Sequence, residues 1–256
     1  MKHKIISAVT LAILLLIVLF IRNEQYFLLC LSFIVVVYLI VIIYGSSQIR
    51  ANYFVNSINR GKADAVTFTF DDGPDIEHTP KILELLEAEK IKATFFVIGK
   101  KAKQYPELLK TMKTNGHTIA NHSYSHNNLI AFFSSIKLED DIKKCSEIIE
   151  RATGDRPLYF RPPFGVTNPR YSNMLKKTGL ISIGWTIRSF DTSIKNKKKL
   201  FERITKSVTT GSIILFHDTQ NITAEVLVDI IKFYRQHNIK IVSLSELINP
   251  SEYEKV

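Results

Sequence analysis

An α/β fold built on a parallel sheet, either a barrel or open and doubly wound, is what this sequence predicts, on three observations. Strand-like and helix-like segments alternate strictly over roughly 190 residues from about residue 63, as βα units require. The unusual polar clusters fall just after predicted strands, the face where parallel α/β folds carry their sites. Glycine follows several predicted helices, at Gly116, Gly154 and Gly179, where a left-handed cap residue is expected.

Two apolar runs come first, residues 5–21 and 27–44, parted by the polar Arg22-Asn23-Glu24-Gln25. Each is long enough to cross a hydrocarbon core of ~30 Å at ~1.5 Å per residue. Lys2 and Lys4 ahead of the first run resemble a signal peptide, but no clear small-x-small cleavage site closes it, and a second run follows at once. Residues 1–44 therefore read as a retained membrane anchor of one or two transmembrane helices, 45–62 as a linker, and 63–250 as the main domain. Two full crossings return the chain to its starting side, and the lysines and arginines at both flanks favour the cytoplasm for that side.

The chain of 256 residues is 46% hydrophobic and carries a net charge of +10, which suits an anionic partner surface such as lipid headgroups or a phosphate-rich polymer. Nucleic acid is not predicted. The basic run KNKKK, residues 195–199, has no interleaved aromatic residues and reads as the solvated start of a helix. Of the two cysteines, Cys30 lies in the second apolar run. Cys145 shares a helical stripe with Leu138, Ile142 and Ile149 and reads as core, so neither a disulfide nor a zinc ribbon is expected.

In chain order, strands are predicted at 65–70, 93–98, 117–121, 158–161, 180–185, 212–216 and 240–242. Helices are predicted from Thr79, as a cap with Pro80 at the first helical position, then from Pro106 to Gly116, from 135 to 154 and from 223 to 237.

The first strand, AVTFTF, runs straight into Asp71 and Asp72, then Gly73-Pro74. Neighbouring carboxylates repel and lose hydration on burial, so a strand ending in two of them needs something to hold them. NHSYSH, residues 121–126, follows the third strand; one helical turn sets His122 and His126 on the same side. With a carboxylate from another strand they would form a two-His, one-carboxylate set, open to water and substrate at a divalent cation.

TFDDGP, HSYSH, RPPFG and LFHD, in this order over about residues 63–248, resemble the NodB-type polysaccharide deacetylases, the carbohydrate esterases of family 4. The resemblance implies a distorted (β/α) barrel, here preceded by the N-terminal transmembrane helices. It also implies hydrolysis of N- or O-acetyl groups on sugars by a metal-bound water. By the matching motifs Asp72, His122 and His126 would hold the metal, most simply Zn2+ with Co2+ or a similar ion possible, and Asp71 would be the general base. His217 would protonate the leaving group with Asp191 as its partner, and Arg161 would pair with the base. The Phe164 N–H would help bind the oxyanion, and Leu215 would line the acetyl pocket.

One motif departs. In WTIRSFDTS, Asp191 is kept, but Arg188 and Thr192 stand where the family usually has an aspartate and a tryptophan that often walls the acetyl pocket. Arg188 then either recognises an acidic substituent, such as a lactyl or phosphate group, or makes a surface ion pair. His117 reads as a partner of neighbouring backbone, Asp75 as the cap of the Gly-Pro turn, and His78 and His237 have no role.

The leading expectation is a membrane-anchored, metal-dependent deacetylase of N-acetylglucosamine in peptidoglycan or a related amino-sugar polymer, at the cell membrane with its domain facing the wall. An O-acetyl esterase on xylan-like polymers shares the chemistry. A barrel that binds glycan without turnover is the non-enzyme alternative.

Overall fold

The structure, a computed structural model, describes residues 2–249; residue 250, the last of the expected main domain, lies outside the described residues. Two long helices, α1 (Lys2–Phe20) and α2 (Glu24–Ser47), open the chain. They are antiparallel, with the Ser7 hydroxyl 2.8 Å from that of Tyr38 and Lys2 Nζ donating to the Ala51 carbonyl. Both are long and apolar enough to cross a membrane, and the apolar side chains along them are exposed.

The domain then runs β1 (Thr67–Asp71), α3 (Thr79–Ala88), β2 (Thr94–Val97), α4 (Gly99–Gln104), α5 (Pro106–Thr114) and β3 (Thr118–Asn121). It continues with α6 (Ser135–Thr153), β4 (Tyr159–Phe160), α7 (Pro169–Thr178), β5 (Ile181–Ser182), β6 (Ile187–Arg188) and α8 (Lys197–Ser207). It ends with β7 (Ile213–His217), α9 (Asn221–Gln236) and α10 (Leu244–Ile248).

The seven strands form one sheet in the order β5-β4-β3-β2-β1-β7-β6, every pairing parallel. β1 lies between β2 and β7 and all five of its residues are buried: Phe68 and Phe70 enter the core, and Thr69 between them meets Arg161. Phe68, Phe70, Phe95 and Phe216 pack ring on ring beneath the helices, with Phe70 stacked 4.9 Å from Phe95. Each such buried ring contributes about 1.5–3 kcal/mol of apolar burial.

The sheet curls into an incomplete barrel with β5 and β6 as its edges. Residues 58–60 run across this opening: Ile58 bridges Ile183 and Arg60 bridges Ser212. Segment 45–62, expected as a linker, is therefore no free tether. Ile49, Tyr53, Phe54, Val55 and Ile58 are buried, and Tyr53 and Phe54 join a core cluster with Phe160, Tyr171 and Met174.

Three expectations about elements need correction. The stretch 240–242 makes an isolated bridge, Ile241 to Val66, through the Lys240 carbonyl and the Val242 N–H, in place of a strand. The strand expected over 180–185 covers only Ile181–Ser182 and ends just before Gly184, where a Cβ would lie 1.9 Å from the Asn59 side-chain oxygen of the crossing segment; the two-residue β6 then follows, too short for its pattern to stand out. Thr79 is the first residue of α3 rather than its cap, so Pro80 takes the second helical position. Asp75 does the capping work, its carboxylate accepting from the N–H groups of Glu77 and His78 and facing the His78 ring at 2.7 Å.

Other readings hold. Asn196 caps α8, so the KNKKK run begins a solvated helix. Gly154 and Gly179 are left-handed caps of α6 and α7. His117 Nδ1 accepts from the Ala93 N–H. Cys145 is wholly buried and both cysteines are free.

Candidate active site

Strand ends bring the predicted residues together. Asp71, Asp72, His122, His126, Phe164, Leu215 and His217 all line one cavity of about 200 Å³ above the C-terminal edge of the sheet. Arg161 and Asp191, fully buried, lie behind it and each holds one of these groups.

Asp71 and Asp72 part because their backbones differ. Asp71 ends β1 in extended form, whereas Asp72 has a left-handed φ of 74°. Asp71 Oδ1 accepts from Arg161 Nη1 at 2.6 Å, and its Oδ2 lies 3.8 Å from His122 Nε2. Arg161 makes three further hydrogen bonds, to the carbonyls of Ile183 and Gly184 and to the Thr69 hydroxyl, with its guanidinium 4.1 Å over the Phe96 ring. A buried cation so completely partnered has one geometry, and it fixes the carboxylate it holds.

Asp72 turns the other way. Its Oδ1 lies 3.2 Å from His126 Nε2 and 3.5 Å from His122 Nε2. Burial alone would raise its pKa; the hydrogen bond and charge of His122, then the charges of His126 and His217, hold it well below the usual carboxylate range. Burial and the neighbouring His122 push His126 down to about 4, so it is a neutral imidazole at pH 7, the form that binds metal. Burial also disfavours charge on His122, but the charge of Asp71 and the hydrogen bond and charge of Asp72 reverse this and raise its pKa. A proton held there occupies the place a cation would take.

The donor set fits a divalent metal. One atom from each of Asp72, His122 and His126 lies within 4.8 Å of the others. Ligand distances of ~2.0–2.1 Å imply donor-to-donor edges of about 3.3 Å in a tetrahedron, close to the spacings from Asp72 Oδ1 to the two imidazoles. That oxygen is buried, and its nearest polar neighbours are those two imidazole nitrogens. His122 Nδ1 donates to the Arg161 carbonyl at 2.8 Å, which leaves Nε2 with its lone pair toward the site.

His217, at the end of β7, is held by Asp191 through two bonds: Nδ1 to Oδ1 and the backbone N–H to Oδ2, both 2.7 Å. Thr223 Oγ1 also donates to Asp191 Oδ2. Burial lowers the His217 pKa, but the hydrogen bond and charge of Asp191, then the charges of Asp71 and Asp72, bring it above the ordinary imidazole value. Its Nε2 is 3.9 Å from Asp72 Oδ2.

Phe164 sits in a left-handed turn, φ 60°, with its ring 4.7 Å from that of His126. Leu215 is buried in β7 opposite Thr69 of β1.

Sequence reasoning sets Trp185 and Asp218 at strand ends without giving them a role, and misses Lys101. Trp185 lines the cavity and lies so close to Gly165 that a Cβ there would meet the indole at 2.4 Å, so this ring walls a site whose usual tryptophan position is Thr192. Asp218, beside His217 in the LFHD motif, fills the space next to Gly73, where a Cβ would lie 2.0 Å from its Oδ2, and accepts from Thr79 Oγ1. Burial raises its pKa to about 7. Lys101 Nζ donates to the Asp72 carbonyl at 2.8 Å. Position at a strand end flags Trp185 and Asp218; Lys101, inside α4, carries no local signal.

Comparison with known proteins points one way. Residues 58–183 match the family described as Polysaccharide deacetylase. A peptidoglycan-N-acetylglucosamine deacetylase of Bacillus cereus is 35% identical over 154 residues, 60% of this chain and 56% of that protein. The peptidoglycan-N-acetylmuramic acid deacetylase PdaA of Bacillus subtilis is 31% identical over 195 residues, 75% of this chain and 74% of that protein. The crystal structure of the Bc1960 peptidoglycan N-acetylglucosamine deacetylase superposes with a TM-score of 0.72 at 30% identity, covering 75% of this chain and 92% of that one. Shared sequence over most of PdaA, together with the shared curled parallel sheet, makes this chain a member of the polysaccharide deacetylases, the NodB-type carbohydrate esterases of family 4.

Proposed function

We propose that the protein hydrolyses N-acetyl groups on an amino sugar of peptidoglycan, with a divalent metal, zinc or a similar ion, held by Asp72, His122 and His126. One observation carries the reading: two oppositely prepared proton-handling groups flank the metal set, each within 4 Å of a different ligand. Asp71 is fixed by Arg161, and His217 is fixed by Asp191.

A cation held by the three donors supplies Lewis acidity, polarising the acetyl carbonyl and acidifying a water. Asp71 takes the proton of the attacking water on Oδ2, the oxygen that Arg161 leaves open. His217 keeps its Nδ1–H in a hydrogen bond to Asp191 and gives its Nε2 proton to the leaving sugar amine. A raised pKa suits that task, since the acid must be charged before it acts. The Phe164 N–H adds a donor to the developing oxyanion. Leu215 and Trp185 bound the space for the acetyl methyl.

The anchor reading follows from substrate and helices together. The α1–α2 hairpin attaches the domain to a membrane whose outer face meets the wall. Because Lys2 lies beside Ala51, two full crossings put the N-terminus and the domain on the same side.

The test is acetate release by the full chain in detergent, loaded with zinc, from penta-N-acetylchitopentaose and from isolated peptidoglycan, beside Asp71→Asn. Acetate from the wild type alone supports hydrolysis by this site. Acetate from neither, with metal bound and fold intact, defeats the reading.

A further inference from the structure

Arg188 stands where the family usually has an acid, and its surroundings separate the two roles that its sequence position allows. Its side chain lines the same cavity as Asp71, Asp72, His126 and His217. β6 pairs with β7 so that Arg188 lies opposite Leu215, two residues before His217.

No surface ion pair is present. Among the described residues no carboxylate pairs with Arg188, and its guanidinium makes no hydrogen bond. Its partners are ring faces, Trp185 at 5.8 Å and Phe190 at 5.0 Å. Phe190 is itself fixed, in a left-handed backbone with φ 63° and with Arg203 stacked 4.5 Å from its ring. Arg203 Nε donates to the Arg188 carbonyl at 3.1 Å, tying the strand to the same layer. The contrast with Arg161 is informative: that guanidinium makes four hydrogen bonds to protein acceptors, whereas Arg188 is positioned by stacking and keeps its donors free for something else.

Arg161 is already paired to Asp71, and a cation held by Asp72, His122 and His126 would face the acetyl group, so Arg188 is the cation lining the cavity that stays open to an anionic substituent elsewhere on the sugar. On a pyranose whose C2 acetamido group reaches the metal donors, the substituent on the neighbouring O3 is the next group along the ring. Thr192, which also lines the cavity, is far smaller than the tryptophan usual at its position and leaves room beside Arg188. A planar guanidinium matches a carboxylate through two parallel hydrogen bonds.

We propose that Arg188 selects amino sugars bearing a free carboxylate on O3, as in N-acetylmuramic acid, over unsubstituted N-acetylglucosamine. This rests on the deacetylase reading of the site and names its substrate class.

The experiment uses the zinc-loaded full chain and a peptide-free N-acetylmuramic acid–N-acetylglucosamine oligomer, compared with the same oligomer carrying its lactyl carboxylates as neutral amides. Wild type, Arg188→Gln and Arg188→Lys are assayed for kcat/KM and, by calorimetry, for affinity. The wild type should favour the free acid. Arg188→Gln should reduce the acid-to-amide preference by about 10- to 100-fold, mainly through KM, as loss of a charge-assisted pair predicts. Arg188→Lys, which keeps the charge without the fork, should retain part of it. An unchanged preference in Arg188→Gln, or no preference in the wild type, overturns the proposal. Absence of acetate from every substrate defeats the deacetylase reading instead, and the affinities still decide the role of Arg188: a free-acid advantage that Arg188→Gln abolishes supports it, and equal affinities overturn it.

Discussion

Arg161 Nη1 and Asp71 Oδ1 are 2.6 Å apart, on residues ninety positions apart in the chain, and both side chains are buried. This pair joins the residue after β4 to the end of β1. Three further bonds tie the guanidinium to Thr69, Ile183 and Gly184, so the carboxylate is aimed by the whole β1–β4–β5 region.

Arg161→Met should therefore lower stability by about 3–5 kcal/mol, the cost of leaving a buried carboxylate without its partner. Arg161→Lys should recover part of the stability and little of the activity, because one ammonium cannot replace the fork. Denaturant unfolding of the full chain in detergent, beside acetate release, checks both. A loss under 1 kcal/mol for the methionine variant would refute the coupling.

His217 and Asp191 make a second pair with opposite shifts. Burial opposes charge on both, but their mutual hydrogen bond and attraction raise the imidazole pKa and lower that of the carboxylate. The signs follow. The Asp191 contribution to stability is present above its unfolded pKa and lost as pH falls through its depressed folded value. The His217 contribution is present below its unfolded pKa and lost as pH rises through its raised folded value. Activity that needs the His217 proton should fail on the alkaline side, and Asp191→Asn should move that alkaline limb of kcat to lower pH. A limb that stays in place would remove Asp191 from the role of tuning the acid.

The metal set should behave as a unit. Treatment with a chelator should abolish acetate release, and zinc should restore it. His126→Ala should cut bound zinc, measured by elemental analysis, at least tenfold, since a two-donor remnant holds metal weakly. Its side chain is only partly buried, so the thermal unfolding of the metal-free protein should change little. Full zinc content in that variant would contradict the assignment of His126 as a ligand.

The crossing segment gives a structural prediction. A chain truncated to begin at Asp64 loses the bridges of Ile58 and Arg60 and the buried Tyr53, Phe54 and Val55. It should be insoluble or should unfold many degrees below the full chain. A truncated protein with the same melting temperature would show that the sheet needs no closure there.

How much was legible depends on the range of the interaction. Asp71, Asp72, His122, His126 and His217 could be picked out because each lies next to a strand whose own pattern is local, and strands of a parallel sheet end on one face. The helices from Pro106 and over 135–154 were readable for the same reason: their apolar spacing and capping residues lie within the segment itself. The strand ending early at Gly184, the packed segment 45–62 and the wall formed by Trp185 were not, since each depends on a contact with a remote part of the chain.

The alternation of strands and helices, the two long apolar helices, and the residue types that a two-His, one-carboxylate site requires are readable along the chain, because periodicity and motif spacing are properties of neighbours. Packing between remote segments turns Asp71 to Arg161 and Asp72 to His126, carries residues 58–60 across the open barrel, and leaves Arg188 facing no carboxylate among the described residues. Those outcomes depend on which strands pair and which side chains then compete for the same space, and no single stretch of the chain contains that information.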